Sequence, residues 1–279
     1  LALGCTPCHS EKVAMQGRSR HAQTLKAYDG EGFAGKRLVE RGGAVYEFDT
    51  RGVRIERGGE SRFYAIDWLF GAGHFARTPV LRWGGQWVEQ RLSWYAETGK
   101  LSLSPGHPLR PSSTFEESLG VRQSERNAER CFGCHKTADR PGVHCESCHG
   151  AQGEHPAKAG IRRDRSVEAC AVCHRSPLKE YASATPEVDD PMSIRFAPVG
   201  LMASRCYQKS AGRLDCVSCH DPHGKEKASG NHDGVCRSCH VQQGKQGECP
   251  RGANCAGCHM PKAKPAPYLE FTDHRIRRP

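Results

Sequence analysis

The chain has 279 residues, enough for one large domain or two ordinary ones. It is polar, with a mean hydropathy of -0.68 and 37% hydrophobic residues, and no apolar run approaches the ~20 residues a membrane-spanning helix needs. The formal charge of +10 would ordinarily point to nucleic acid or an anionic surface, yet no nucleic-acid motif accompanies it.

In chain order, Leu1 stands where a Met would open a full reading frame, from which an export signal already removed is expected. Residues 1–5 loosely resemble a lipoprotein cleavage box, but Cys5 opens a different pattern, Cys5-x-x-Cys8-His9. From about 42 to 104 the chain changes character. Val45–Phe48, Val53–Ile55, Ser61–Leu69, Pro79–Trp83, Trp87–Tyr95 and Leu101–Leu103 are period-two runs broken at Gly58-Gly59 and Gly84-Gly85. Such runs predict antiparallel hairpins. All four Trp (68, 83, 87, 94) lie here, so an ordinary side-chain core is expected only in this segment. Residues 105–130 are polar, with Ser124–Arg130 a short helix. After 131 come further Cys-x-x-Cys-His groups on short helical turns, joined by Gly- and Pro-rich loops. The insert 175–205, with Pro177, Pro186, Pro191 and Pro198, reads as an extended surface loop. The expected organisation is an amino-terminal segment 1–30, a β-hairpin subdomain 31–110 and a domain 111–279 carrying six of the groups.

Sixteen Cys stand beside fifteen His, and fourteen of the Cys fall in seven copies of Cys-x-x-Cys-His. The first is Cys5, Cys8 and His9; the second Cys131, Cys134 and His135; the third Cys145, Cys148 and His149; the fourth Cys170, Cys173 and His174. The fifth is Cys216, Cys219 and His220, the sixth Cys236, Cys239 and His240, and the seventh Cys255, Cys258 and His259. Chance placement at this composition would give about 0.05 copies of a pattern that marks c-type haem attachment. Two thiols three residues apart lie on one side of a helical turn, where both can form thioethers with the porphyrin vinyl groups. The next residue is rotated by roughly 100°, which brings its imidazole towards the iron. Zinc ribbons also pair Cys-x-x-Cys, but four thiolates complete such a site and leave every His unexplained. A disulfide framework gives those His no role either, and a thioredoxin-like redox pair needs one motif, not seven.

Seven haem c groups, one per motif, are therefore expected. The last six motifs span Cys131 to His259, roughly 21 residues each, too few to wrap each porphyrin in its own apolar pocket. The haems must form much of the core, a reading that explains the low hydrophobic content without disorder. Haem also changes the charge count. Each ferric haem c adds one net negative charge through its propionates, so the formal +10 falls to about +3 in the oxidised protein. Arginine clusters at 162–165 and 275–278 are expected to pair with propionates, which suit a guanidinium fork.

Eight His remain for the sixth coordination positions: His21, His74, His107, His144, His155, His223, His232 and His274. The arithmetic permits bis-His ligation at all seven irons. His223 follows proximal His220 by three residues and cannot reach the opposite face of its own porphyrin, so it should ligate a neighbouring haem; His144, directly before Cys145, is restricted in the same way. His155 has more freedom, His274 lies past the last motif, and His21 and His74 come from outside the dense region. His107 and His232 are the weakest candidates, as readily surface residues as ligands. Met202 is the competing thioether ligand. Cys206 and Cys249 belong to no motif, and in an oxidising compartment they are expected to pair.

The strings Cys-Glu-Ser-Cys-His-Gly-Ala-Gln-Gly-Glu-His at 145, Cys-His-Asp-Pro-His-Gly at 219, Cys-Ala-Gly-Cys-His-Met-Pro-Lys at 255, Phe-Thr-Asp-His-Arg-Ile at 271 and the stretch 93–106 resemble bacterial multihaem cytochromes c. The resemblance covers most of the chain. It is to the type with doubled Cys-x-x-Cys-His motifs that is sometimes fused to tetratricopeptide repeats, distantly related to the pentahaem nitrite reductase and hydroxylamine oxidoreductase group. It implies a mostly irregular fold of short α-helices around a haem chain, plus the small antiparallel β subdomain. It places His21, His74, His155, His223 and His274 at distal-ligand positions. Pentahaem nitrite reductases carry a Lys in place of the motif His at their catalytic haem; here every motif ends in His.

Two functions follow from this pattern. An electron conduit needs closely spaced, six-coordinate haems, and bis-His ligation gives lower potentials than Met/His. The alternative is a reductase of a small nitrogen or sulfur oxyanion at one open haem, with a neighbouring acid or base. The histidine surplus favours the conduit, an electron carrier rather than an enzyme. Expected partners are redox proteins, with no nucleic acid and no membrane span, and the expected location is extracytoplasmic, in the periplasm or at the cell surface. Haem 1, attached at residue 5, is expected at the edge of the array. There a second copy could stack haem to haem, even donating the sixth ligand, and propagate a filament; in a monomer, His21 or a His of the hairpin region would close haem 1 instead.

Overall fold

The computed structural model describes residues 4–151, 153, 155, 157, 160–174, 191–224, 232–240 and 254–277. The chain divides into two compact units, one containing Gln16–Ser147 and a discontinuous one built from Leu3–Met15 together with Cys148–Pro279. The first motif thus groups with the carboxy-terminal ones and the second motif with the hairpins, a different partition from three consecutive segments. The boundary passes through the third motif.

Helix α1 (Thr6–Gly17) carries the first motif and is interrupted at His9, whose φ of -125° and ψ of 34° are not helical. The first unit then runs β1 (Leu25–Ala27), β2 (Arg37–Val39), β3 (Val45–Phe48), β4 (Gly52–Arg57), β5 (Glu60–Ala65), β6 (Trp68–Phe70), β7 (Ala76–Trp83), β8 (Gln86–Gln90), β9 (Leu92–Tyr95) and β10 (Lys100–Leu103). Helix α2 (Phe115–Leu119), β11 (Gly120–Gln123), α3 (Glu125–His135) and the short pair β12 (Lys136–Thr137) and β13 (Arg140–Pro141) complete it. Strands β2-β3-β4-β5 form one antiparallel sheet; β1-β6-β7-β8-β11 form the second, on which β9 pairs with β7 and β10 with β9. The paired glycines explain two of the hairpins. Gly58 and Gly59 have φ of +56° and +83°, and Gly84 and Gly85 +57° and +79°, the left-handed pair that a two-residue turn needs to match strand twist.

Alternation supplies the core. Tyr46, Phe48, Val53, Ile55, Leu69, Leu81, Val88 and Leu92 point inward with Phe33 and Leu119, while Glu47 and Arg54 stay outside. Each fully buried side chain of this kind contributes about 1.5–3 kcal/mol. Two predicted runs are broken. Ser61–Leu69 is two strands separated at Ile66-Asp67, and Trp87–Tyr95 is interrupted at Arg91. Arg91 is 2% exposed and gives Nε and Nη2 to Glu40 Oε1 at 2.8 and 2.5 Å and Nη2 to the Arg110 carbonyl at 2.6 Å. A charge so enclosed requires its partners there, and the strand yields to them.

The second unit is built from short helices. They are α4 (Cys145–His149) at the boundary, then α5 (Val167–His174), α6 (Ala197–Ala203), α7 (Arg205–Lys209), α8 (Cys216–Cys219), α9 (Asp233–His240) and α10 (Cys255–His259), followed by the hairpin β14 (Lys262–Ala266) and β15 (Leu269–Thr272). Part of the predicted loop 175–205 is helical. Residues 175–190 lie outside the described set, but Pro191–Arg195 is a 3-10 turn and α6 buries Pro198, Val199 and Leu201. Among the described residues this unit buries only six apolar side chains, Val167, Ala171, Pro198, Val199, Leu201 and Leu269. No helix among the described residues is long and apolar enough to cross a membrane.

Candidate haem sites

All seven motifs lie on helical turns, and the local sequence explains why. Backbone bonds from His9 N to Cys5 O and from His220 N to Cys216 O, at 2.8 and 2.9 Å, close the turn that sets both thiols on one side and the imidazole beyond them. Caps start the turns. Ser124 caps α3 through Asn127 N, Asp215 and Ser218 form a capping box at α8, and Asn254 caps α10 through Gly257 N. Asp233, buried at the start of α9, accepts the N–H groups of Asn254 at 2.6 Å and Cys255 at 2.8 Å, joining the sixth motif to the seventh.

The motif thiols are accessible. Cys8, Cys131, Cys148, Cys173 and Cys239 are exposed. The remaining motif cysteines, including Cys134 beside His135 and Cys170, three residues before Cys173, are half-buried. No described cysteine is buried. Cysteine is ordinarily among the most buried residue types, so thiols held accessible fit a covalent attachment role.

The imidazoles supply the second test. His9 and His155 have ring centroids 6.3 Å apart with planes 14° from parallel, and His149 and His223 are at 6.1 Å and 12°. His220 faces two rings, His274 at 6.1 Å and 38° and His232 at 6.0 Å and 58°. Two metal–imidazole bonds of about 2.0–2.1 Å plus two ring radii of roughly 1.1 Å place a trans pair about 6.3 Å apart. The pairs have the separation of two ligands on one metal.

Tautomers are set to match. Nδ1 of His149 lies 2.7 Å from the Arg162 carbonyl, Nδ1 of His259 2.7 Å from that of Arg277, and Nδ1 of His274 2.9 Å from that of Thr272. His135 Nδ1 faces Thr24 Oγ1 at 2.7 Å and Thr24 O at 3.1 Å. A proton held on Nδ1 by an oxygen acceptor leaves Nε2 with its lone pair, the form a metal takes. Burial pushes the pKa of both His135 and His274 below the ordinary histidine value, which favours the same neutral form. Apart from the Thr24 hydroxyl these acceptors are backbone carbonyls and carry no sequence signature, so motif reasoning missed them.

Other expected residues fall differently. His144 turns its Nε2 to the Pro141 carbonyl at 2.8 Å, so only Nδ1 would remain for a metal. His107 is not on the surface: it is 7% exposed, within the sheet unit. His21 and His74 lie in the same unit as His135, on the loops before β1 and β7. His174 and His240 end α5 and α9, each directly after its motif's second thiol, Cys173 and Cys239, and Met202 lies in α6. Of the arginines expected to meet propionates, Arg162 donates to the Cys148 carbonyl, Arg165 binds Asp215 and Arg277 binds Asp273. Cys206 lies in α7; Cys249 falls outside the described residues.

The second motif is held by aromatics. Phe132, between Cys131 and Cys134, packs on Trp68, Phe70 and Trp87 with centroids 6.4, 5.2 and 5.0 Å away, and Phe70 meets the His135 ring edge-on at 4.9 Å. The Lys136 ammonium covers Phe132 at 4.7 Å. Strands β6 and β8 thereby fix α3 through side chains no haem motif requires.

Comparison with known proteins bears on the fold. The family model described as Cytochrome c3 matches residues 139–241, which contain four of the seven motifs. Among solved structures, the outer cell wall cytochrome OcwA aligns with a TM-score of 0.58 and 14% identity over 99% of this chain and 78% of that one. The fold is that of a multihaem cytochrome c. No curated protein matches the chain. Such a fold also accounts for how few apolar side chains the described part of the second unit buries, because porphyrins on the motifs would supply the apolar contact that side chains do not.

Proposed function

We propose that the chain binds seven haem c groups, one on each Cys-x-x-Cys-His motif, and passes electrons between them. Each haem supplies an Fe(III)/Fe(II) couple; the chain tethers it through two cysteines, ligates it through the motif histidine and closes its other face with a second imidazole. The observation that carries this is the pair of near-parallel histidine couples, His9 with His155 and His149 with His223, at the spacing of one metal. His220 and His274 would supply a third pair of ligands, with His274 Nδ1 held 2.9 Å from the Thr272 carbonyl. For the second motif the sixth ligand is drawn from His21 and His74, since His144 spends its Nε2 on Pro141.

Closed coordination favours transfer over substrate reduction, because an iron with two imidazoles has no position for an oxyanion. His155 belongs to the same chain as His9, so haem 1 needs no ligand from a second copy; a filament would be built by haem-to-haem contact without ligand exchange. Haem c is attached outside the cytoplasm, which places the protein in the periplasm or on the cell surface, facing redox partner proteins. Intact mass together with a pyridine haemochrome assay tests the proposal: seven haems per chain are expected, and fewer than seven would overturn the one-per-motif reading.

A further inference from the structure

The sequence Asp221-Pro222-His223-Gly224 is a turn signature, with Asp first, Pro second and Gly last. The structure forms that turn. Gly224 N donates to Asp221 O at 3.1 Å, and Gly224 takes a φ of +85°. The geometry brings the Asp221 side chain back onto the third residue: Oδ1 accepts the His223 backbone N–H at 2.9 Å and lies 3.0 Å from His223 Nδ1. His223 therefore differs from the other anchored imidazoles. His149, His259 and His274 place Nδ1 against backbone carbonyls and His135 against the Thr24 carbonyl and hydroxyl, whereas His223 places it against a carboxylate. The Asp221 side chain is 21% exposed, and Lys12 of α1 is within electrostatic reach of it.

We propose that Asp221 is a positioning and tuning residue for the haem of the third motif, making His223 a stronger donor and holding that iron at a lower potential than carbonyl-supported ligands would. The inference rests on His149 and His223 being the two axial ligands of that haem. A carboxylate accepting Nδ1–H draws the proton from the ring and leaves more negative charge on Nε2, which stabilises Fe(III) over Fe(II). The position gives the effect a consequence. The ligand His149 lies six residues before His155, the partner of His9, and His223 lies three residues after His220. Haem 3 is therefore connected through short peptide links to haem 1 and to haem 5, and a depressed potential there raises the energy of an electron on haem 3 relative to both.

The test is a redox titration of the fully loaded protein, followed by EPR, on the wild type and on Asp221→Asn, Asp221→Glu and His223→Ala. Asn keeps an acceptor of the same shape and removes the charge. We expect Asp221→Asn to retain seven low-spin haems and to move one redox component upward, with its reduced-to-oxidised ratio at fixed potential rising by about tenfold, or 59 mV for one electron. Asp221→Glu, which restores the charge, should return that component towards the wild-type value. It should be the component that becomes high-spin in His223→Ala. If Asp221→Asn moves no component, or moves all of them together, the proposal is overturned. A protein that loads its haems only with an acidic residue at 221 would also overturn it, because Asp221 would then serve assembly and not potential. If His223→Ala leaves every haem low-spin, the axial pairing fails first, and with it the premise.

Discussion

Lowering the pH should loosen the sheet unit before the global acid transition, through the buried His107. His107 is 7% exposed, its ring nitrogens make no hydrogen bond, the Glu89 carboxylate stands 3.9 Å from Nε2, and the Arg91 guanidinium is nearby. Burial first, then Arg91, lowers its pKa from 6.5 to about 4. Between those values the unfolded chain binds a proton that the folded unit refuses, so stability is fully present above pH 6.5 and is lost as the pH falls towards 4. At 1.36 kcal/mol per pKa unit the whole effect is about 3 kcal/mol, a large part of the stability of a small unit. Hydrogen exchange of peptides covering Val45–Leu103, read by mass spectrometry between pH 7 and 4.5 and corrected for intrinsic rates, measures it without interference from haem absorption. His107→Phe removes the titration in a similar volume and should flatten the acid slope by up to one proton. Parallel slopes in variant and wild type would refute the reasoning.

Three other substitutions should separate haem ligation from fold. His155→Ala should convert one low-spin ferric haem to high-spin in EPR while leaving the motif cysteines loaded, since His155 faces His9 and attaches nothing itself. Arg91→Met should cost about 3–5 kcal/mol in denaturant unfolding of the sheet unit, with little dependence on salt, because it leaves the Glu40 carboxylate enclosed without its cation. Asp233→Ala should free the N–H groups of Asn254 and Cys255, lowering the protection of α10 in hydrogen exchange by about 1–3 kcal/mol. Peptide mapping should then show reduced haem occupancy at Cys255 and Cys258.

Much of the site chemistry is legible in the sequence because Cys-x-x-Cys-His is a local pattern: spacing along one helical turn determines which atoms face together. Hairpins are legible for the same reason, since Gly58-Gly59 and Gly84-Gly85 announce turns and period-two runs announce faces. What stays hidden is non-local. Nothing in the spacing of His9 and His155 joins them, and the carbonyls of Arg162, Arg277 and Thr272 that fix three tautomers have no residue-type signature. Arg162 and Arg165 read as propionate partners because their charge is visible, whereas their use as braces on Cys148 O and Asp215 depends on tertiary placement. The break at Arg91 is of the same kind: a strand propensity gives way to a buried ion pair that forms only when Glu40 arrives from 51 residues away. Helix α6 is hidden among the prolines of the insert 175–205, although Pro198 sits at the start of the helix, where the missing N–H costs nothing. Asp221 alone of the second-layer residues carried a local signal, its place two residues before His223 in a turn sequence.

The central claim is that seven tethered haems are each closed by two imidazoles. Quantitative EPR of the fully oxidised protein tests it most directly, with spins counted against haem from the haemochrome assay. The account predicts seven low-spin ferric haems per chain, with rhombic signals from the two near-parallel couples, His9 with His155 and His149 with His223. A stoichiometric high-spin signal, or a haem count below seven, would contradict it.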